Sequence, residues 1–461
     1  MDMTSPSAQG VDAAGITAFV EAIDRDPRIE PHGLIIQRHG RRIAEGYWAP
    51  HTRGQARLVY SLSKSFTGTA LALQLDRGLL SLDDLVSDHL PELFEHADAR
   101  TRRMKIRHIA SMSTGHDRET LLEAGAIDRD DPVRGFFAIP PDAEPGTLFA
   151  YNQPPVLALA RVLERLAGQR LIDQLRPDVL DPLGVGEFRW ARTAAGGDVG
   201  FSGVYTDLDA VARLGQLYLD DGVWDGRRLL PAGWVGAASA VQVANPERED
   251  PDWQQGYGFQ LWMSRHGYRG DGAFGQYMVV LPELDAVVAM FSCTEPMQVV
   301  LDAMWEHLLP AMQADELPPS PADDVLERRL AMLTLPTVTE RRGGSAPDAP
   351  AMTFRRAAGV PSHSTVTAVE TNGRSLIVRE GDASIELPLT EGWSRGDPSL
   401  AASASRLSDG RLAVDVAFLA TPHRLEIELD PSTATFVARW PFVPLFGAGL
   451  GPQLHSMRPP D

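Results

Sequence analysis

The pattern of this chain shifts after about residue 312, and the shift divides what it can fold into. Up to about residue 312, apolar residues recur mostly at helical spacing, as in SKSFTGTALALQLDRG (63–78), PPVLALARVLERLA (154–167) and YTDLDAVARLGQLYLDDG (205–222). From about 353 the period becomes two. Short alternating segments (STVTAVE, SLIVRE, SIELPL, LAVDVAFL, HRLEIELD, ATFVARW) are separated by turn pairs such as Asn372-Gly373, Gly381-Asp382 and Asp409-Gly410. Helical spacing buries one face of a helix, whereas strict alternation buries one face of a strand. Between the two regimes lie ADELPPSPADD (314–324) and RRGGSAPDAPAM (341–352), rich in Pro, Gly and charge. The pattern predicts a main domain over 1–315, a linker over 316–352 and a small antiparallel β domain over 353–461. A length of 461 residues suits that division.

Within the first part, the order is strands, then helices, then strands and a helix. A helix is expected over 12–24 and a hairpin over 34–48 around His39-Gly40. Helices follow after Ser61, at 104–112, at 154–167 and from Thr206 or Asp207 onward. GYGFQLWMS, GYRGDGAFGQYMVVL and DAVVAMFSC read as three strands, and 297–312 as a closing helix. The early hairpin and late strands can share one antiparallel sheet with a helical insertion between them, an α+β architecture.

Composition removes several function classes. The net charge of −19 argues against nucleic acid and anionic membranes as partners. A single cysteine, Cys293, allows no disulfide framework and no cysteine metal cluster. The 12 histidines are scattered without HxH or HExxH spacing, so neither metal nor cofactor is expected. The N-terminal stretch lacks a basic n-region followed by an apolar run, and no apolar run is long enough to span a bilayer; a cytoplasmic location is expected. The GxSxG of α/β-hydrolases is absent, GFSG at 200–203 being one residue short.

Chemistry concentrates at LVYSLSKSFTG (58–68). Lys64 and Lys105 are the chain's lysines; its remaining basic residues are arginines. Arginine stays protonated, whereas a buried lysine can lose its proton near neutral pH. Lys64 stands one helical turn after Ser61, on the same face of a helix start, where the helix dipole favours an alkoxide beside a neutral amine. A structural role for an isolated SxxK is the blander alternative. Two further segments bear on it, each with a plain alternative of its own: Tyr151 as a half-buried tyrosine with its hydroxyl on water, and the glycines of 269–281 as a tight hairpin. PGTLFAYNQ (145–153) places Tyr151 in a loop before an apolar helix, where a phenol can relay a proton. RGDGAFGQYMVVL (269–281) puts glycines in a strand, the composition of a close backbone approach.

In this order the segments resemble class C β-lactamases and penicillin-binding-protein-like serine hydrolases, a group with esterases, D-aminopeptidases and acyltransferases. LLSLDDLVSDHLPEL, KIRHIASMSTGHD, LDPLGV and GAFGQYMVVLPELDAVVAMFS are similar to the same group, and the resemblance covers about 10–312. It implies a β-lactamase/transpeptidase-like fold, with the C-terminal part similar to lipocalin-like or barrel appendages. It implies acylation of Ser61, Lys64 as base, Tyr151 as proton relay, and an oxyanion hole from the backbone amides of Ser61 and Ala273. The group's Tyr-x-Asn is here Tyr151-Asn152-Gln153, so either Asn152 or Gln153 holds the acyl side chain. The third motif's cation is replaced by Gly270-Asp271-Gly272-Ala273. Asp271 would repel a carboxylate substrate unless Arg269 turns in to neutralise it. Weak or no β-lactamase activity is therefore expected, with a small neutral or amine-bearing ester or amide as substrate. Gly272 lines the same strand, and His116, next to Asp117, is a further candidate for substrate contact or a helix cap. Trp48, Tyr257, Trp262 and Tyr277 are core or cleft aromatics. Acyl transfer to an alcohol or amine is the alternative enzyme reading, and a catalytically dead binding protein the alternative from another class. The β domain could cover the cleft, mediate a homodimer or support the core.

Overall fold

The computed structural model describes residues 2–95, 97–359 and 365–445. Helix α1 (Ala13–Arg25) starts at Asp12, whose carboxylate accepts from the Ala14 amide; such a cap satisfies a donor that the helix start leaves without a partner. Strands β1 (Glu30–Arg38) and β2 (Arg41–Tyr47) form the hairpin expected around His39 and Gly40, both at positive φ. β3 (Arg57–Leu58) then leads through a single 3-10 turn, Tyr60–Leu62, into α2 (Ser63–Asp76). Every residue of α2 from Ser63 to Gln74 is buried, so this helix is the axis of the domain rather than a surface element.

Helix α3 (Gln153–Ala167) packs against α2. β4 (Val204–Thr206) pairs with β3, and Asp207 caps α4 (Leu208–Leu219) by accepting from the Ala210 amide. The late strands are β5 (Trp262–Met263), β6 (Tyr268–Gly272), β7 (Gln276–Leu281) and β8 (Ala286–Cys293). They join the first hairpin in an antiparallel sheet of order β2-β1-β8-β7-β6-β5, with Leu34 opposite Met290. The α+β arrangement is the expected one. GYRGDGAFGQYMVVL is the hairpin β6–β7, the plainer reading of its glycines, rather than one strand. Phe274 (φ 66°) and Gly275 (φ 84°) are consecutive left-handed residues and reverse the chain there.

The stretch 316–352 contains two helices. α5 (Pro321–Ala331) packs on α1 and β2, and α6 (Val338–Arg342) packs on the β domain. The β domain comprises β9 (Met352–Arg356), β10 (Ala368–Thr371), β11 (Ser375–Glu380), β12 (Ala383–Pro388), β13 (Ser394–Asp397), β14 (Leu400–Arg406), β15 (Leu412–Phe418), β16 (Arg424–Asp430) and β17 (Thr435–Arg439). Their order is β12-β11-β10-β9-β17-β16-β15-β14-β13, antiparallel except for β9–β17. The edge strands β12 and β13 approach each other, so the sheet curls into a barrel-like form around Phe354, Val378, Leu400, Val416, Ile427 and Phe436. The end of the region read as β domain, 446–461, lies outside the described residues.

Candidate active site

Ser61 occupies the 3-10 turn that enters α2, and Lys64 the first turn of the helix itself. The turn is held from two sides. Ser63 Oγ donates to the Tyr60 carbonyl (2.6 Å) and accepts from the Val204 amide (3.0 Å), which ties the start of α2 to β4. Lys64 Nζ, almost wholly buried, donates to Ser61 Oγ (3.0 Å), Gln153 Oε1 (2.8 Å) and the Phe201 carbonyl (2.8 Å). Burial pulls the ammonium down to about 7, while Asp271 and Glu119 act in the opposite sense. A neutral amine at that distance can take the serine proton, and the cost of burying its charge is what makes it a base near neutrality.

Tyr151 lies just before α3. Its ring stacks on Trp262 (5.1 Å between centroids, 28°) and meets Tyr257 edge-on (6.2 Å). Lys64 Nζ stands 4.8 Å from its centroid. Burial, then the Asp271 charge, pushes the phenol above its ordinary value, and hydrogen bonding with Ser61 opposes them. The phenol therefore stays protonated at neutral pH and can donate to, or relay from, an atom bound at Ser61. Of the four cleft or core aromatics, Tyr257 and Trp262 wall Tyr151, whereas Trp48 and Tyr277 are fully buried core residues.

The two amide candidates separate clearly. Asn152 is fully buried, and its Oδ1 accepts from the amide and the hydroxyl of Thr120 (2.9 and 3.0 Å). Gln153, the first residue of α3, sends Oε1 to Lys64. Its longer side chain spans the extra residue and occupies the place beside the lysine. His116 is also fully buried, with Nδ1 at Thr114 Oγ1 (3.0 Å), Nε2 at the Ile139 carbonyl (3.2 Å) and its ring on Phe136. It offers no surface to a ligand in a cleft.

β6 runs directly beside the Ser61 turn. A Cβ on Gly272 would fall 2.0 Å from the Val59 carbonyl oxygen, and one on Gly270 would fall 2.3 Å from Ser65 Oγ. These two glycines let strand and helix start touch, which brings the partly exposed Ala273 to the side of the partly exposed Ser61. Arg269 does turn inward: its Nε donates to Asp271 Oδ2 (2.9 Å), and its Nη1 to the Asp252 and Met263 carbonyls and Ser264 Oγ. Burial raises the Asp271 carboxyl, and Arg269 counters that. The strand thus presents the compensated pair, the second of the two arrangements the sequence left open for Asp271.

Three participants escaped sequence reasoning. The Phe201 carbonyl is a ligand of the lysine, and a carbonyl leaves no mark in a side-chain pattern; Gly200 and Gly203, both at positive φ, were its available signal. Glu119 accepts from the Gln153 amide (3.2 Å). Exposed Arg248 lies 6.0 Å from the Trp262 ring.

A sequence profile described as Beta-lactamase matches residues 16–311, well over half of the chain. The chain belongs to the Beta-lactamase family. Among relatives in this family, it is 27% identical to penicillin-binding protein 4 of Amycolatopsis lactamdurans over 62% of this chain and 84% of that one. It is 24% identical to the 6-aminohexanoate-dimer hydrolase of Paenarthrobacter ureafaciens, over 58% of this chain and 75% of that one. Among solved structures it is similar to EstCE1, described as a hydrolase with promiscuous acyltransferase activity (TM-score 0.52, 21% identity, 64% of this chain and 99% of that one). The Beta-lactamase family is a family of hydrolases with this fold that includes esterases and amidases. Among the described residues, no helix is long and apolar enough to cross a membrane, and no group of acidic, His or Cys side chains is placed to hold a metal ion.

Proposed function

We propose that this chain is a serine hydrolase that cleaves an ester or amide bond of a small molecule through an acyl-Ser61 intermediate. The observation that carries the proposal is the buried Lys64 amine, drawn to about 7 and bonded to Ser61 Oγ. In the proposed cycle Lys64 takes the hydroxyl proton as Ser61 Oγ forms a bond to the substrate carbonyl carbon. The carbonyl oxygen gains negative charge between the amides of Ser61 and Ala273. The bond to the leaving group then breaks, and the proton reaches that group through Tyr151. Water repeats the sequence on the acyl-serine and restores Ser61. Gln153 holds the lysine and reaches toward the acyl group, while Gly272 and the Arg269–Asp271 pair form the strand side of the cleft. That pair carries no net positive charge toward a substrate carboxylate, which supports weak or no β-lactam hydrolysis.

Intact-mass spectrometry with p-nitrophenyl esters of graded chain length tests this. The expected result is an acyl adduct on the wild type that decays in water and is absent from Ser61→Ala. Decay only with an added amine or alcohol would make the chain an acyltransferase. A Ser61→Ala variant with near wild-type turnover would overturn the mechanism, and rapid nitrocefin hydrolysis would overturn the argument from the missing positive charge.

A further inference from the structure

The turn between β15 and β16 is a hairpin tip with no exposed surface: Leu419, Ala420, Thr421 and His423 are all at most 3% accessible. Loop tips usually lie in solvent, so this one is docked. It docks against the residues around Ser61. The Leu58 amide donates to the Ala420 carbonyl (2.9 Å), and Arg57 Nη2 donates to the Thr421 carbonyl (2.9 Å). The Tyr60 hydroxyl is 2.5 Å from His423 Nε2. Burial keeps the imidazole neutral, so the phenol donates and Nε2 accepts. The His423 ring also stands edge-on to Phe274 (4.7 Å, 84°), and Phe274 packs on Tyr60 (5.4 Å).

Tyr60 and Phe274 are special for two reasons. Tyr60 precedes Ser61 and Phe274 follows Ala273, so they flank the two amides assigned to the oxyanion hole. Both are non-glycine residues in the left-handed region, φ 49° and 66°. Bulky residues hold that conformation only where the surroundings over-determine it. His423 touches both at once.

We infer that His423 of the C-terminal β domain is a positioning residue for the reaction, clamping Tyr60 and Phe274 so that the Ser61 and Ala273 amides keep their aim. The inference rests on the acyl-Ser61 reading. It gives the β domain a role in the chemistry, acting from behind the site without touching substrate.

The test is the rate of Ser61 phosphonylation by a fluorophosphonate, measured on the full chain, alongside kcat and KM for a p-nitrophenyl ester. In that reaction the serine oxygen forms a bond to phosphorus, fluoride leaves, and the phosphoryl oxygen sits where the carbonyl oxygen would. Tyr60→Phe and His423→Phe are each expected to slow labelling about tenfold or more, since small misalignments at a reacting centre cost that much. They should lower kcat with KM little changed, and the double variant should be no slower than either single one. His423→Gln, which keeps an acceptor, should recover most of the rate. Near-UV circular dichroism reports whether each variant folds; Tyr60→Phe keeps its ring, and it decides alone if His423→Phe does not fold. Wild-type rates in Tyr60→Phe, additive losses in the double variant, or His423→Gln as slow as His423→Phe would each overturn the inference. A wild type that never labels would overturn the acyl-Ser61 reading, and this inference with it; a wild type that labels while the variants match it overturns this inference alone.

Discussion

Lys64 sets the pH behaviour expected of the site. Its folded value of about 7 lies below the 10.5 of a free lysine, because burial disfavours the charged form. In the proposed cycle the base is the neutral amine, so acylation at saturating probe should rise with pH through about 7 and then level. A stopped-flow pH profile checks this; a flat profile from pH 5 to 9 would remove Lys64 from the role. The same shift predicts stability. Below about 7 both folded and unfolded chains hold the proton, and the full cost of burying the charge is present. As pH climbs toward 10.5 the folded state has already released the proton while the unfolded one still binds it, so the cost fades. Lys64→Met should therefore abolish labelling and raise the denaturant midpoint at pH 6, with the gain shrinking by pH 10. Lys64→Arg should abolish labelling with no such gain. These properties are legible from residue types, because Lys64 is one of two lysines in an arginine-rich chain and stands one turn from a serine, an arrangement suited to proton transfer. The Phe201 carbonyl was not legible, since its contribution is a backbone atom placed by folding.

At the scale of elements, the close passage of β6 over the start of α2 makes a graded prediction. The Cβ of Gly272→Ala meets a backbone carbonyl oxygen, which moves only with the main chain. The Cβ of Gly270→Ala meets the hydroxyl of Ser65, which can rotate away. Overpacking of this kind costs about 1–3 kcal/mol. Gly272→Ala should lie at the upper end and lose most Ser61 labelling, whereas Gly270→Ala should lie at the lower end and keep much of it. Urea denaturation with parallel labelling separates the two, and equal effects would contradict the geometry. The glycines were readable as a close approach, but their partner was not, because contact between 272 and 59 is set by tertiary structure. The strands show the same limit. β11, β15 and β16 alternate visibly, whereas LAASASR of β14 is mostly Ala and Ser, which carry no strand signal, although it lies between two partners in the sheet. Asn152 and Gln153 stayed unresolved in the sequence for a similar reason: only the entry angle of α3 decides which amide points at the lysine.

For the whole molecule, the shift in pattern after about residue 312 is readable in the sequence, whereas how tightly the parts on either side of it join is not. The segment read as linker carries α5 against the first region and α6 against the second. Direct bonds cross as well: Arg57 Nη2 donates to the Thr421 carbonyl (2.9 Å), and Arg424 Nε to Glu30 Oε2 (2.8 Å). Arg424 is mostly buried and also pairs with Asp415 (3.0 Å) and Glu426 (2.8 Å), so one guanidinium compensates carboxylates from both regions. Burial costs an ion most of its hydration, and removing one partner leaves the others uncompensated, a loss on the order of 3 kcal/mol. Arg424→Met should therefore lower the unfolding free energy, read from urea denaturation, by that order. It should also slow Ser61 labelling, because β16 begins at Arg424 immediately after His423. With regions coupled this way, the wild type should unfold in one transition, seen alike by tryptophan fluorescence and far-UV circular dichroism. Two separated transitions, or an Arg424→Met variant that unfolds early yet labels at the wild-type rate, would show that the β domain is an appendage and that the hairpin tip merely rests against the part that carries Ser61.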